Sequence, residues 1–335
     1  MPSALLLLKS VEDSMQGNPF PYSDTNKRYH TYDYYLKRTF GEKVAKITLD
    51  GGFTCPNRDG TCGTGGCIYC SNQGAGEFVA RGLSLEEQYR VQKERMTGKW
   101  KTEKFIAYFQ SFTNTYAPLF RLVDLYEQAL ALPGVVGLNI ATRADCLPDD
   151  VIDYLAVLSE RTVLTVELGL QTIHDETARK IGRGHDFATF LDAYRRLRER
   201  APRVRIGVHV IFGLIGENDE MMLQTVQSVG ALCPDEVKIH LLYVSKGTKM
   251  AEIYENGQYF PLERERYADL VVKAISYLPA TVVVSRVTGD GDKKTLLAPL
   301  WSADKRKILN IIDKKFYELD IWQGKRITES SIYNY

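Results

Sequence analysis

The chain has 335 residues, of which 44% are hydrophobic and 25% are charged, and its formal net charge at neutral pH is +1. This composition supports a sizeable core, so it excludes a wholly disordered protein, and the length fits one large α/β barrel or two ordinary domains. The balanced charge gives no overall reason to expect nucleic-acid binding, although a local basic face remains compatible with it.

The first 14 residues contain a short apolar run, Ala4 to Leu8, without the positive region and cleavage site of a signal peptide. The run is also too short to span a membrane. We expect a disordered extension over residues 1–14, no membrane association and a cytoplasmic protein. Cysteine usage agrees with this location, because four cysteines cluster while Cys146 and Cys233 are isolated, which is not the pattern of paired disulfides.

Residues 15–45 form a segment rich in aromatic and basic side chains, among them Tyr29, His30 and Arg38. Aromatic rings interleaved with cations are typical of surfaces that bind single-stranded nucleic acid. The alternative is a helix whose tyrosines pack on the body of the protein while its charges face water. The two interpretations are compatible with each other.

A glycine-rich loop then follows residues 46–50, which alternate like a strand, and it holds Cys55, Cys62, Cys67 and Cys70. Thiolates bind soft metals and iron–sulfur clusters, and the Cys67-x-x-Cys70 pair can place two sulfurs on one centre. A third ligand must come from Cys55 or Cys62. Four bound cysteines would make a closed site, as in structural zinc proteins, whereas three on a four-iron cluster would leave one iron open to a substrate.

Downstream of this loop, strand and helix patterns alternate. Ser84 and Glu87 form a capping-box pattern that begins a polar helix ending near Met96. The predicted strands cover residues 46–50, 104–110, 135–143, 162–170, 203–213, 236–244 and 281–289. Further helices are predicted near residues 119–132, 149–159, 186–199, 219–232 and 262–278.

The last predicted helix begins at Ser302 and would dock on the body through Ile308, Leu309, Ile312 and Phe316. Its lysines and Arg306 either solvate the helix or contact RNA phosphate. Seven strands alternating with helices predict an α/β fold with a parallel sheet, better suited to a partial barrel than to a complete eight-stranded one.

The cysteine loop resembles that of a known family. The run from Gly52 to Gly60, with Gly66 to Cys70 following, resembles the cluster loop of the YhcC/YtqA group of radical S-adenosylmethionine (SAM) proteins, relatives of the elongator catalytic subunit. The resemblance, which extends to Tyr335, implies a partial (β/α)6-7 TIM-like barrel of the radical SAM type over residues 46–290, with a C-terminal helical extension over residues 291–335. It implies a [4Fe-4S] cluster held by Cys55, Cys67 and Cys70.

S-adenosylmethionine is the second cofactor that the resemblance implies. Ligands of parallel barrels collect at the carboxyl ends of the strands, where this chain is polar or glycine-rich. The candidate SAM-binding residues are Gln110, Ser111, Glu167, Gln171, Arg183, Gly213 and Gly216. Among them, the guanidinium of Arg183 suits the carboxylate of SAM. By the resemblance, Gln110 and Ser111 would meet the amine of SAM, and the two glycines belong to a segment that resembles the motif lying against adenine.

The interior of the barrel is expected to be dry, with walls formed by Ile47, Ile106, Ile140, Val166 and Ile211. His209 and His240 lie within predicted strands among apolar neighbours. They are therefore interpreted as hydrogen-bonded core or substrate-pocket histidines rather than as metal ligands.

The resemblance implies that the open iron binds SAM, that an electron cleaves it to methionine and a 5′-deoxyadenosyl radical, and that this radical abstracts hydrogen from a substrate. It implies tRNA as the substrate, with the 5-carboxymethylaminomethyl side chain of the wobble uridine converted to aminomethyl. A flavodoxin or ferredoxin type of low-potential donor would supply the electron. Two alternatives remain: radical chemistry on a small metabolite or peptide, and a non-catalytic, zinc- or cluster-stapled nucleic-acid-binding module.

Overall fold

The structure is a computed structural model that describes residues 20, 25, 27–72, 74, 82–289 and 291–327. The expected extension over residues 1–14 lies outside the described residues, as does much of the start of the aromatic and basic segment. Among the helices that the structure describes, none combines the length and the apolar character that crossing a membrane requires.

The described chain contains nine strands. They are β1 Val44–Leu49, β2 Lys104–Phe109, β3 Val135–Thr142, β4 Val163–Gln171, β5 Arg205–Phe212, β6 Glu236–Leu241, β7 Val244–Ser245, β8 Val283–Arg286 and β9 Leu296–Ala298. Seven of them form one sheet in the order β1-β2-β3-β4-β5-β6-β8, and each neighbouring pair is parallel. The predicted seven-stranded parallel sheet is confirmed.

Helices connect these strands along the chain. They are α1 Tyr32–Phe40, α2 Leu85–Thr97, α3 Leu119–Leu130, α4 Asp149–Ser159, α5 Asp175–Lys180, α6 Phe187–Arg200, α7 Asp219–Ala231, α8 Lys249–Glu255, α9 Arg264–Ile275 and α10 Lys305–Glu318. Because the sheet curls with helices outside it, the architecture is the partial TIM-like barrel that the pattern predicted.

Local sequence explains why the helices begin where they do. Ser84 and Glu87 form the predicted capping box at the start of α2, each side chain accepting a hydrogen bond from the backbone of the other. Phe190 and Tyr194 are buried on one face of α6, as their spacing predicted.

Two helices and two strands were not predicted. Helix α5 has six residues and α8 has seven, so neither shows more than two turns of apolar periodicity. Strands β7 and β9 form a separate antiparallel pair of two and three residues, too short for an alternation to be read from the sequence.

The segment before β1 packs largely as the second interpretation predicted. Tyr29 is buried, while Tyr32 and Tyr35 of α1 pack against a small apolar cluster that includes Leu36. The backbone N–H of Val284 donates to the carbonyl of His30 at 2.8 Å, so this segment covers the β8 edge of the sheet. Contact of the segment with nucleic acid stays a prediction.

The C-terminal helix docks through the face that the sequence indicated. Ile308, Ile312 and Phe316 of α10 are buried, and Leu309 is partly buried against the same core. The helix starts at Lys305 rather than at Ser302, because Asp304 accepts a hydrogen bond from the backbone of Lys307 and caps it there.

Candidate functional site

The cysteine loop begins where β1 ends and is folded by its own backbone hydrogen bonds. The N–H of Arg58 donates to the carbonyl of Cys55 at 2.7 Å, and the N–H of Cys70 donates to the carbonyl of Cys67 at 2.9 Å. The second bond closes the one-turn geometry that a Cys-x-x-Cys pair needs to present both sulfurs to one side.

Asn57 ties this loop to the segment after β4. Its amide nitrogen donates to the carbonyl of Gly182 at 2.6 Å and lies 3.6 Å from the sulfur of Cys67. Gly184 adopts a left-handed φ of 80°, and a Cβ there would lie 2.4 Å from the Asn57 side-chain oxygen. Glycine at this position therefore allows the loop to approach the segment that carries Arg183.

Three of the loop cysteines line a cavity of about 510 Å³ at the carboxyl ends of the strands, namely Cys55, Cys67 and Cys70. Burial raises the pKa of the Cys70 thiol, and the neighbouring Cys67 and Cys55 raise it further against the opposing charge of Arg58. The three thiols therefore face the same cavity. Cys62 is exposed and lies outside the residues that line this cavity.

Gln171 and Arg183 lie together in the wall of the same cavity. One guanidinium nitrogen of Arg183 donates to the carbonyl of Gly169 at 2.5 Å, while its Nε and the side-chain oxygen of Gln171 are buried without a hydrogen-bond partner. A Cβ at Gly169 would lie 2.8 Å from both side chains. Because unpaired buried polar atoms are costly, this wall fits a polar ligand such as the amino-acid part of SAM.

Of the remaining SAM candidates, some line the cavity and others do not. Gln110 lines the cavity, whereas Ser111 is fully buried outside its lining. Gly213 and Gly216 also lie outside the lining, and the hydroxyl of Tyr259 donates to the carbonyl of Gly213 at 2.8 Å. The structure therefore brings Gln110, Gln171 and Arg183 together with the cysteines, and their contacts with SAM stay predictions.

Glu167 lies at the floor of the cavity and is fully buried. Its carboxylate contacts five side chains from five strands, which are Lys46, Tyr108, Asn139, His209 and Lys238. Burial raises the pKa of this carboxyl, but the Lys238 and Lys46 ammonium groups dominate and hold it well below its usual value. The carboxylate thus organises the cations around it, and a contact with SAM stays a prediction.

The expectation of a dry interior is wrong. Ile47, Ile140 and Val166 are buried in the core between sheet and helices, and Ile106 packs in a small cluster with Leu36. Of the five expected wall residues, only Ile211 lines the cavity.

Alternation along the strands explains the error at Ile47, Ile140 and Val166, because successive side chains point to opposite faces of a sheet. The neighbours of the expected residues, Lys46 and Glu167, face the interior instead. The sequence contained a signal for this arrangement, since Glu236, Lys238 and His240 alternate with apolar residues along β6.

His209 and His240 both line the cavity, in agreement with a substrate-pocket placement. Burial, and then the Lys238 charge, lowers the pKa of His209, while burial and His209 hold the pKa of His240 well below its usual value. Both rings are therefore neutral hydrogen-bonding groups near neutral pH.

Cations also line the outer part of the cavity. Arg95 of α2 and Lys99 just after it are exposed and contribute to the lining. Arg58 donates to the carbonyl of Ser71 at 2.6 Å, with its guanidinium carbon 5.6 Å from the centre of the Phe112 ring. Neither Arg95 nor Lys99 was identified from the sequence, because cations on a helix usually just solvate it.

Two family models match the chain. The Radical SAM superfamily model matches residues 58–229, and the Radical_SAM C-terminal domain model matches residues 234–318. The chain is 48% identical to the protein YtqA of Bacillus subtilis (strain 168) over 321 residues, which cover 95% of this chain and 99% of that protein.

More distant similarities include one relative named for an action on tRNA and one solved structure. The chain is 30% identical over 158 residues to the tRNA uridine(34) acetyltransferase of Methanocaldococcus jannaschii, a match that covers 46% of this chain and 28% of that protein. Among solved structures, Elp3 of Methanocaldococcus infernus aligns with a TM-score of 0.62 at 20% identity, covering 84% of this chain and 64% of that one. The latter likeness supports the fold.

Proposed function

The chain belongs to the radical SAM superfamily, and from this premise we propose that it modifies the side chain of the wobble uridine in tRNA. It is a radical SAM enzyme whose cofactors are a [4Fe-4S] cluster and S-adenosylmethionine. The proposed reaction converts the 5-carboxymethylaminomethyl group toward aminomethyl. Water would hydrolyse the oxidised carbon–nitrogen bond, so that the carboxymethyl unit leaves as glyoxylate, and the two electrons that the substrate loses balance the two that cleave SAM to methionine and 5′-deoxyadenosine. The joint lining of one cavity by three cysteines, by polar SAM candidates and by a charged floor carries this proposal.

In the proposed site, Cys55, Cys67 and Cys70 would hold the cluster, and the cluster would supply the binding point for SAM. When bound, the two cofactors supply a 5′-deoxyadenosyl radical that abstracts hydrogen from the substrate. The hydrogen bonds from Asn57 fix the loop against the β4 side of the cavity, so the cysteines keep their orientation. A non-catalytic zinc module is not supported, because the family matches and the position of Cys62 favour the enzyme.

The chain's own residues would bind and orient SAM beside the cluster. The guanidinium of Arg183 suits the carboxylate of SAM, and the unpaired oxygen of Gln171 can accept a hydrogen bond from a ribose hydroxyl or the amine. Gln110 lines the same cavity and completes the proposed polar wall. Gly213 and Gly216 do not line the cavity, so they would contact adenine only if the adenine ring extends beyond the residues that line it.

tRNA is favoured as the substrate by two observations. The chain is similar to a protein named for its action on tRNA uridine 34, although that match covers less than half of this chain. Exposed cations, Arg95 and Lys99, line the cavity together with the half-buried Arg58. Cations at the entrance suit a phosphate backbone whose base reaches inside.

Three further assignments belong to this proposal: the domain bounds, the electron donor and the location. We place the barrel at residues 46–290, between the aromatic segment 15–45 and the helical extension 291–335. A flavodoxin or ferredoxin type of protein supplies the electron, and a tRNA substrate places the reaction in the cytoplasm.

The test compares tRNA nucleosides from a strain lacking this gene with those from the complemented strain, by mass spectrometry. The proposal predicts that the carboxymethylaminomethyl form accumulates and the aminomethyl form disappears. Complementation with Cys67→Ala, which removes one proposed cluster ligand, should leave the defect in place. An unchanged wobble-uridine profile would contradict the tRNA assignment and favour a small metabolite or peptide.

A further inference from the structure

One wall of the cavity is formed where β6 ends and β7 begins, and we call it the β6 wall. It consists of residues 240–243 and Ser245, all of which line the cavity. The N–H of Leu242 donates to the carbonyl of Phe212 at 2.8 Å, and β7 pairs with β9. The backbone of the β6 wall is therefore held in place by its neighbours.

Two polar atoms of the β6 wall lack a hydrogen-bond partner. The Nε2 atom of His240 and the Oγ atom of Ser245 are buried, and neither has a partner among the residues that the structure describes. Ser245 as a whole is only 2% exposed. Because unpaired buried polar atoms are costly, a bound molecule that supplies these hydrogen bonds would offset the cost. A neutral ring nitrogen and a hydroxyl suit an uncharged polar group.

Tyr243 supplies an aromatic ring beside these two atoms. Glycine backbones pack against the ring: a Cβ at Gly291 would lie 2.8 Å from it, and a Cβ at Gly289 would lie 3.0 Å from it. A larger residue at either position would push the ring out of place, so the glycines allow it to stay where it lines the cavity. Rings held in this way are typical surfaces for stacking an unpaired nucleobase.

The remaining side chains of this region are apolar. Ile211, Leu241 and Leu242 line the cavity next to the aromatic ring and the two polar atoms. A nucleobase has matching properties, since its faces are flat and apolar while its edge carries hydrogen-bond donors and acceptors. The β6 wall thus combines a surface for the face of a base with groups for its edge.

We infer that the β6 wall binds the uracil ring of the substrate, with Tyr243 stacking on the base and with His240 and Ser245 bonding to its polar edge. This inference rests on the proposed function and adds the residues that recognise the base. SAM carries the other base that could lie here. Its predicted adenine contacts, Gly213 and Gly216, lie outside the cavity lining, which leaves the β6 wall to the substrate.

The experiment measures equilibrium binding of three anticodon stem-loop RNAs to the SAM-loaded, cluster-reconstituted protein without reductant. The RNAs differ only at the wobble position, which carries uridine, 3-methyluridine or a ribose without a base. The wild type should bind the uridine RNA about tenfold to a hundredfold more tightly than the RNA without the base, because stacking is lost. The 3-methyluridine RNA should bind with intermediate affinity, because its methyl group blocks one donor of the polar edge.

Variants assign these differences to residues. Tyr243→Ala should lose most of the preference for uridine over the missing base, whereas Tyr243→Phe should keep it because the ring remains. Ser245→Ala breaks no hydrogen bond of its hydroxyl with the described residues, yet it should reduce the difference between uridine and 3-methyluridine. Tyr317→Ala is the control, because Tyr317 is exposed on α10 and lies outside the cavity lining. Calorimetric titration should show unchanged SAM affinity in Tyr243→Ala.

The outcomes separate the two levels of the proposal. Equal binding of the uridine RNA and the RNA without the base by the wild type would overturn the base site and leave tRNA as the substrate. Binding of none of the RNAs would overturn the proposed function and the inference that rests on it. Weaker SAM binding by Tyr243→Ala, with the base preference retained, would assign the β6 wall to adenine and overturn the inference. If Tyr243→Ala fails to fold, Tyr243→Leu keeps an apolar side chain against the glycines, and a retained preference in that variant would contradict the role of the ring.

Discussion

The ammonium of Lys46 lies 3.2 Å from the carboxylate of Glu167, although the two residues belong to the first and the fourth strand of the sheet. Such a contact across the interior is possible because both side chains point inward from a curled sheet. The same carboxylate contacts Lys238 on the sixth strand. One buried acid therefore holds together strands that are not neighbours.

Replacing Glu167 with Gln should strongly destabilise the fold. The substitution leaves Lys46 and Lys238 in the interior without their main counter-charge, and removing one partner of a buried ion pair costs roughly 3–5 kcal/mol. Urea unfolding followed by circular dichroism measures the loss. Glu160→Gln is the matched control, because Glu160 forms an exposed ion pair with Arg203, so its unfolding should change little. Equal effects of the two variants would contradict the network.

Lys238 should titrate near neutral pH. Burial lowers its pKa from 10.5 to about 7 in the folded protein. The unfolded chain therefore binds more protons between these two values, so this group makes the free energy of unfolding increase with pH across that window and adds nothing further above it.

The measurement for this prediction is a titration of the lysine side-chain carbons by NMR, with Lys238→Met identifying the resonance. A Lys238 resonance that titrates near 10 would contradict the prediction.

Gly169→Ala should weaken SAM binding while leaving the fold intact. The new Cβ would lie 2.8 Å from the ends of both Arg183 and Gln171, which are flexible side chains that can move aside. Their displacement removes two proposed contacts, so we expect affinity to fall about tenfold or more. Calorimetric titration of the cluster-loaded protein with SAM tests this, with Gly98→Ala at the end of α2 as the control. Unchanged SAM affinity in Gly169→Ala would place SAM elsewhere.

The sequence predicted the large features of the molecule because they depend on local patterns. The capping box of Ser84 and Glu87 and the buried face of α10 are periodic or sequential signals, and they lie where expected. The close approach of Gly169 to Arg183 could not be predicted in this way, since it depends on how a strand and a later loop meet in space. Long-range contacts of this kind require the three-dimensional fold.

The interior of the barrel shows a second limit of sequence patterns. Strand β2 is buried at five of its six positions, so burial alone does not tell which side chains face the cavity. Parallel strands covered on both faces show little alternation. Ile106 and Tyr108 lie two positions apart and therefore on the same face of β2, but Tyr108 lines the cavity whereas Ile106, nearer the start of the strand, packs with Leu36 and Val44. Only the structure distinguishes the two positions.

Cluster content should depend on three cysteines and not on the fourth. Cys55→Ala, Cys67→Ala and Cys70→Ala should each lose most of the iron and sulfide, because each removes a proposed ligand from the cavity. Cys62→Ala should retain them, because Cys62 is exposed and lies outside the lining. Iron and sulfide analysis after anaerobic reconstitution measures this. Loss of the cluster in Cys62→Ala would instead indicate a closed, four-cysteine site.

tRNA binding should depend on the cations at the cavity entrance. Arg95→Gln and Lys99→Gln should each weaken binding of an anticodon stem-loop and reduce the slope of log affinity against log salt by about 1, as expected for one lost phosphate contact. Both residues are exposed, so the fold should not change. Arg203→Gln is the control, because Arg203 precedes β5 at the amino end of the sheet, opposite to the cavity.

The salt slope separates a phosphate contact from other causes of weak binding. A misplaced helix would weaken binding at every salt concentration without changing the slope by a whole charge, whereas a lost ion pair matters less as salt rises. Fluorescence anisotropy with a labelled stem-loop between about 50 and 200 mM salt covers the useful range. If Arg95→Gln and Lys99→Gln bind like Arg203→Gln throughout, the RNA backbone does not pass over α2, and the substrate must enter the cavity from another side.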